Sequence, residues 1–134
     1  MSFAAASIWM RDRLAGPHDG ADAPRALYQV LDDLDRLSAD RSAQKALLDP
    51  EPVSTGDEQF DALLAGWAEF KAHEFGLPVP AWTERAPVLR EVWYVSPYFK
   101  ARADAETPES LRRRGVRMTR VDLERRPKRC STPN

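Results

Sequence analysis

Two prolines separated by a single residue, in Leu77-Pro78-Val79-Pro80-Ala81-Trp82, constrain this chain more than any other feature. Each proline fixes its own φ and pushes the residue before it toward extended backbone, so no helix can run through this stretch. The segment is therefore a stiff connector that ends on a large aromatic. Whatever precedes it must stop at Gly76, and whatever follows must start afresh.

The half before the connector is periodic and helical. Residues 2–14 are predicted to form a short helix, ended by the breaker cluster Gly16-Pro17-His18-Asp19-Gly20. From Pro24 onward, Leu27, Val30, Leu31, Leu34 and Leu37 recur at three- and four-residue spacing, with Asp32, Asp33, Asp35 and Arg36 on the other face. A shorter helix is expected over Arg41–Leu48, before Asp49-Pro50-Glu51-Pro52 imposes an extended connection. Thr55-Gly56-Asp57-Glu58 reads as a capping box, and Phe60, Leu63, Leu64 and Trp67, continuing toward Phe70, then form an apolar stripe on a helix from Glu58 to about Phe75.

The half after the connector is less regular. Residues 81–90 suit a helical turn or two, and Val92-Trp93-Tyr94-Val95 suits either a brief extended piece or a buried helical turn. Thr107-Pro108-Glu109 is a helix start, with threonine as N-cap and proline first in the helix. Arg112, Arg113 and Arg114 fall in its last turn, and Gly115 closes it. Val116–Thr119 alternates like a short strand, residues 121–125 suit one more helical turn, and the tail from Arg126 is expected to be disordered and basic. The fold class that follows is mainly α: a compact bundle of four to six helices with at most a short β element near residues 116–119. It forms a single domain over residues 1–125, in which residues 1–20 are either integral or a flexible, separately docked segment.

Charge is uneven although its sum is only −1. Residues 1–106 hold 11 Lys/Arg against 18 Asp/Glu, while residues 107–134 hold 9 against 3. An acidic body with a basic end suits contact with nucleic acid, an acidic partner, or a solvated terminus. The opening residues have no basic region before their apolar run, so neither a signal peptide nor a membrane span is expected. Cys130 is the single cysteine, which excludes an intrachain disulfide framework and fits a reducing cytoplasm.

Signals for catalysis are weak. Glu69 and His73 have i, i+4 spacing, but no third metal ligand is signalled, so neither a metal nor another cofactor is expected. Cys130 lies in the tail expected to be disordered, where nothing fixes a base beside it, and the scattered glycines form no phosphate loop. The residues that stand out instead are those of a recognition surface: Pro78, Pro80, Trp82, Trp93, Tyr94, Tyr98, Arg112, Arg113 and Arg114. Consecutive helical residues fan out by about 100°, so the three arginines cannot share one face; one is expected to pair internally while the others project. The aromatics divide between core and interface.

The stretch from Thr55 to Leu123 resembles the C-terminal region of actinobacterial Xre-type helix-turn-helix regulators. The resemblance rests on Gly56-Asp57-Glu58-Gln59-Phe60-Asp61-Ala62-Leu63-Leu64-Ala65, on Gly76-Leu77-Pro78-Val79-Pro80-Ala81-Trp82, on Trp93-Tyr94-Val95, and on Thr107 to Val116. It implies an antitoxin that is not an enzyme and that binds and neutralises a cognate protein toxin of nucleotidyltransferase-like class. Residues 1–54 depart from such regulators, being acidic and without a basic recognition helix. Nucleic acid is therefore the less favoured partner, and the alternative is a DNA-binding regulator acting through the basic C-terminal region. The apolar stripe generates the first prediction: Trp67→Ala should cost ~3–5 kcal/mol in a denaturant titration if Trp67 packs against the Leu27–Leu37 helix, and under ~1 kcal/mol if it faces outward.

Overall fold

A computed structural model describes residues 1–16 and 22–119. In chain order it comprises α1 (Phe3–Ala15), α2 (Pro24–Arg36), α3 (Arg41–Leu48), α4 (Glu58–Glu74), a 3-10 helix at Ala81–Arg85, β1 (Trp93–Tyr94), a 3-10 turn at Pro97–Phe99, α5 (Lys100–Glu106), α6 (Glu109–Arg112) and β2 (Val116–Arg117). The fold is mainly α, with six α-helices and one two-stranded sheet among the described residues. None of the described helices is long and apolar enough to cross a membrane. The expected turn over residues 121–125 and the tail from Arg126 lie outside the described residues.

α4 runs through the middle of the molecule. The sequence suggests one apolar stripe, yet every residue from Ala62 to Glu69 is buried, because α1, the 3-10 helix, α6 and β2 all pack on it. Small residues make this possible: Ala62, Ala65, Gly66 and Ala68 let neighbours approach around the whole circumference. Gly66 shows the tightest contact, since a Cβ there would lie 2.4 Å from Leu111 Cδ2 of α6. Around α4 the core gathers Phe3 and Met10 of α1, Leu27, Leu31 and Leu34 of α2, Leu48 of α3, and Leu111. Trp67 is buried within it, its ring edge-on to Phe70 with centroids 5.5 Å apart.

Helix ends are set by local chemistry. Ser2 caps α1 by accepting from the Ala5 amide, and Asp40 caps α3 by accepting from the Ala43 amide, each at 3.0 Å. At the start of α4 the expected capping box gives way to another arrangement. Asp57 is the N-cap, accepting from Gln59 at 2.8 Å and Phe60 at 3.4 Å, while the Thr55 hydroxyl contacts the Asp61 carboxylate at 2.9 Å. Asp61 also accepts from the Thr55 amide, so this carboxylate pins the entry loop and leaves the cap to Asp57. The other end of α4 is a Schellman motif: Gly76 has φ +66°, its amide donates to His73 O, and the Leu77 amide donates to Ala72 O. Arg41 of α3 reinforces it by donating to the carbonyls of Phe75 and Gly76 at 3.0 and 2.8 Å.

The extended reading of residues 92–95 holds, and the partner strand is remote in sequence. β1 and β2 pair in parallel, with Trp93 opposite Val116 and Tyr94 opposite Arg117. Gly115, at φ +88°, sits where a Cβ would come within 2.8 Å of Leu89 Cβ, so glycine both ends the α6 turn and admits the 88–95 segment. α6 starts one residue later than expected, with Pro108 as the cap residue and Thr107 engaged elsewhere.

Crowding at Gly66 generates a prediction. Gly66→Ala gains about 1 kcal/mol of helix propensity, yet the clash with Leu111 should make it destabilising by a net ~1–2 kcal/mol in chemical denaturation. Pairing it with Leu111→Ala should yield a double mutant more stable than the sum of the single effects, because the new methyl then occupies vacated space.

Candidate partner-binding surface

The nine residues singled out above divide into a buried group and a presented group. Trp82 is buried: its indole N–H donates to Leu48 O at 2.8 Å and its ring lies 6.0 Å from that of Phe3. Pro80 is buried too, its carbonyl accepting from the Thr83 amide and hydroxyl, whereas Pro78 is exposed. The connector thus docks its aromatic end onto the core and leaves its first proline outside.

The arginine run follows the expected fan only in part, because α6 ends at Arg112 and Arg113 and Arg114 lie in the turn after it. Arg114 is buried, donating to Glu69 Oε1 at 2.6 Å, Ser110 O at 2.7 Å and Thr83 O at 3.1 Å. Arg113 reaches the same carboxylate from a half-exposed position, and Arg112 donates to the carbonyls of Asp104 and Thr107. Glu69 therefore serves the arginines, with His73 3.4 Å away and largely exposed. Burial pushes the Glu69 carboxyl up, but hydrogen bonds and charge from Arg114 and Arg113 outweigh it and hold the group below the ordinary carboxylate range.

Trp93 is half-buried, edge-on to Phe60 at 5.7 Å. Tyr94 is also half-buried; its hydroxyl donates to Asp104 at 2.8 Å, and Lys100 Nζ lies 5.4 Å from the ring centroid. That hydrogen bond, followed by partial desolvation and the Asp104 charge, pushes the Tyr94 phenol up against the opposing charge of Arg117. The same Asp104 oxygen lies 3.6 Å from Arg117 Nε. Tyr98, on the 3-10 turn, is 87% exposed.

Val88, Val92 and Phe99, which are not among the nine, complete the surface with Tyr98. Of the seven large hydrophobic side chains exposed among the described residues, four fall between positions 88 and 99: Val88, Val92, Tyr98 and Phe99. Phe99 is 52% exposed, with the Arg102 guanidinium 5.9 Å from its ring. The signal available in sequence is apolar residues following neither a helical nor a strand period. A separate cavity of ≈190 Å³ opens beside Trp82 and Leu64, rimmed by the Glu51–Arg85 ion pair at 2.6 Å.

Comparison of this chain with family models, with curated proteins and with solved structures finds no match.

Glu69 generates a pH prediction. Its folded-state pKa is lowered, so its contribution is fully present above the ordinary value of 4.5 and is lost as pH falls through the lowered one. Urea unfolding of the intact chain should weaken more steeply between about pH 5 and 3 than unfolding of Glu69→Gln. At pH 7, Arg114→Met should cost ~3–5 kcal/mol, because it leaves Glu69 with only the half-exposed Arg113 and removes the buried donor to Ser110 O and Thr83 O.

Proposed function

We propose that this chain is an antitoxin-type protein that binds and neutralises a cognate protein toxin, presenting the surface around residues 88–102 together with Pro78, Tyr94, Arg112 and Arg113. The observation that carries the reading is the concentration of exposed Val88, Val92, Tyr98 and Phe99 in one segment of the described chain. Clustered exposed apolar side chains mark interaction sites, and aromatics with arginine are the residue types enriched at them. The toxin class comes from the resemblance of Thr55–Leu123 to the C-terminal region of the Xre-type regulators. Trp82, Pro80 and Arg114 are buried and belong to the core, not to the presented surface.

Co-expression with the product of the adjacent gene tests the proposal. The intact chain should restore growth, and a Tyr98→Glu/Phe99→Glu variant that keeps its helical circular dichroism and unfolding midpoint should bind at least about tenfold more weakly, since two exposed anchors are lost. A neighbour that is harmless alone, or a folded chain that neither binds nor rescues, refutes the antitoxin reading. Sequence-selective duplex binding at sub-micromolar affinity in about 150 mM salt would favour a DNA-binding regulator instead.

A further inference from the structure

The two edges of the small sheet differ. The Trp93 amide donates to Gly115 O at 2.8 Å and the Val95 amide to Arg117 O at 3.0 Å, so Tyr94, between them, directs its own N–H and C=O away from β2. Neither of those Tyr94 groups is hydrogen-bonded among the described residues. The outer edge of β2 is covered instead: the Met118 amide donates to Thr107 Oγ1 at 2.9 Å, and Thr107 Oγ1 lies 3.1 Å from Met118 O. One edge is closed by a threonine side chain, and the other is left open by the described residues, with Val92, 47% exposed, and Tyr98 two and four positions away in the chain. An unpaired strand edge is a template on which an extended segment can add a strand.

The chemistry of the occupant follows from charge. Near this edge Arg102 is paired with Glu106 at 3.6 Å, and Asp104 is engaged by Tyr94 and Arg117, which leaves Arg90 and Lys100 as the cations available to a partner. Arg90 and Lys100 are exposed and make no ion pair among the described residues. From these observations we infer that the Tyr94 edge of β1 accepts an extended, acidic segment of a protein partner as a third strand, its backbone pairing with Tyr94 and its carboxylates meeting Arg90 and Lys100. This names how the partner of the binding role proposed above would dock, and it rests on that role. Tyr94 offers only one donor and one acceptor, so the ladder sets direction and register. Apolar contacts with Val92 and Tyr98, and the charges, must supply the remainder.

The test is an NMR titration of the full chain with a blocked peptide of alternating glutamate and valine, six residues long. The expected result is a shift of the Tyr94 amide with slowed hydrogen exchange. Binding should be at least about tenfold weaker for the lysine–valine peptide and for the Arg90→Glu/Lys100→Glu variant, and should weaken with salt. Of two glutamate–valine peptides N-methylated on alternate residues, one should lose binding, because only one register can pair with Tyr94. Three results would overturn the inference: no shift over residues 92–100 at millimolar peptide, equal binding of the lysine peptide, or equal binding of both methylated peptides. Displacement of the glutamate peptide by a single-stranded oligothymidylate of higher affinity would also overturn it, reassigning the aromatic and basic surface to base stacking. The outcome is separable from growth rescue. Rescue that survives Arg90→Glu/Lys100→Glu keeps the antitoxin role and removes strand addition, whereas a peptide ladder at Tyr94 without rescue keeps the edge site and removes the toxin as its partner.

Discussion

Arg114 joins three parts of the molecule that are far apart in sequence. Its guanidinium meets Glu69 in the middle of α4, the Ser110 carbonyl of α6, and the Thr83 carbonyl of the 3-10 helix that follows the proline connector. A buried ion pair is not in itself a strong source of stability, since desolvating both charges offsets most of the attraction. Its effect here is geometric. Guanidinium N–H groups must find acceptors in fixed directions, so only one placement of α6 against α4 and the 3-10 helix satisfies them. That placement puts Gly115 and β2 beside residues 89–95, and so the strand that presents Tyr94 is held from the inside of the protein.

The helices α1 to α4 were legible in the sequence because their signals are local. Proline and glycine mark the ends, and apolar spacing marks the faces. The start of α4 was misread for an equally local reason. Thr55 and Asp57 are both competent caps, and the choice falls to Asp57 because Asp61, one turn into the helix, takes the threonine. The breadth of burial on α4 was not visible, since alanine and glycine are as acceptable on a solvated face as under a packed neighbour. After Pro80 the elements depend on contacts distant in the chain. β1 exists because β2 lies beside it, 23 residues on by the register Trp93 to Val116. α5 has a single buried side chain, Ala103, and no side-chain cap, so nothing in its own residues announces it.

The candidate surface was legible in kind but not in membership. Aromatics in irregular segments carry no period, so Trp82 and Tyr98 look alike in sequence although one is buried and the other is 87% exposed. What separates them is the partner each finds: Trp82 has Leu48 O for its N–H and Phe3 for its ring, while Tyr98 is lifted outward by the Pro97–Phe99 turn. The arginines were legible only in part: one of them, Arg114, is buried as expected, but α6 ends at Arg112, and Arg113 converges with Arg114 on Glu69.

This division between anchored and presented side chains bears directly on binding. Ordering a flexible loop on association costs free energy for each immobilised side chain, and a surface already fixed avoids most of that cost. Here the segment is tied at Leu89 to Arg114 O, at Trp93 to Gly115 O and at Val95 to Arg117 O, while Tyr94 is tied through Asp104, which Arg117 also approaches. These ties leave Val92, Tyr98 and Phe99 exposed on a backbone held at several points. A chain that kept the same exposed residues but lost the Gly115 turn would retain the composition of the surface without its shape. For the binding role proposed above, Arg114 and Gly115 inside the fold would therefore matter as much as the aromatics outside it, since they hold the backbone that presents them.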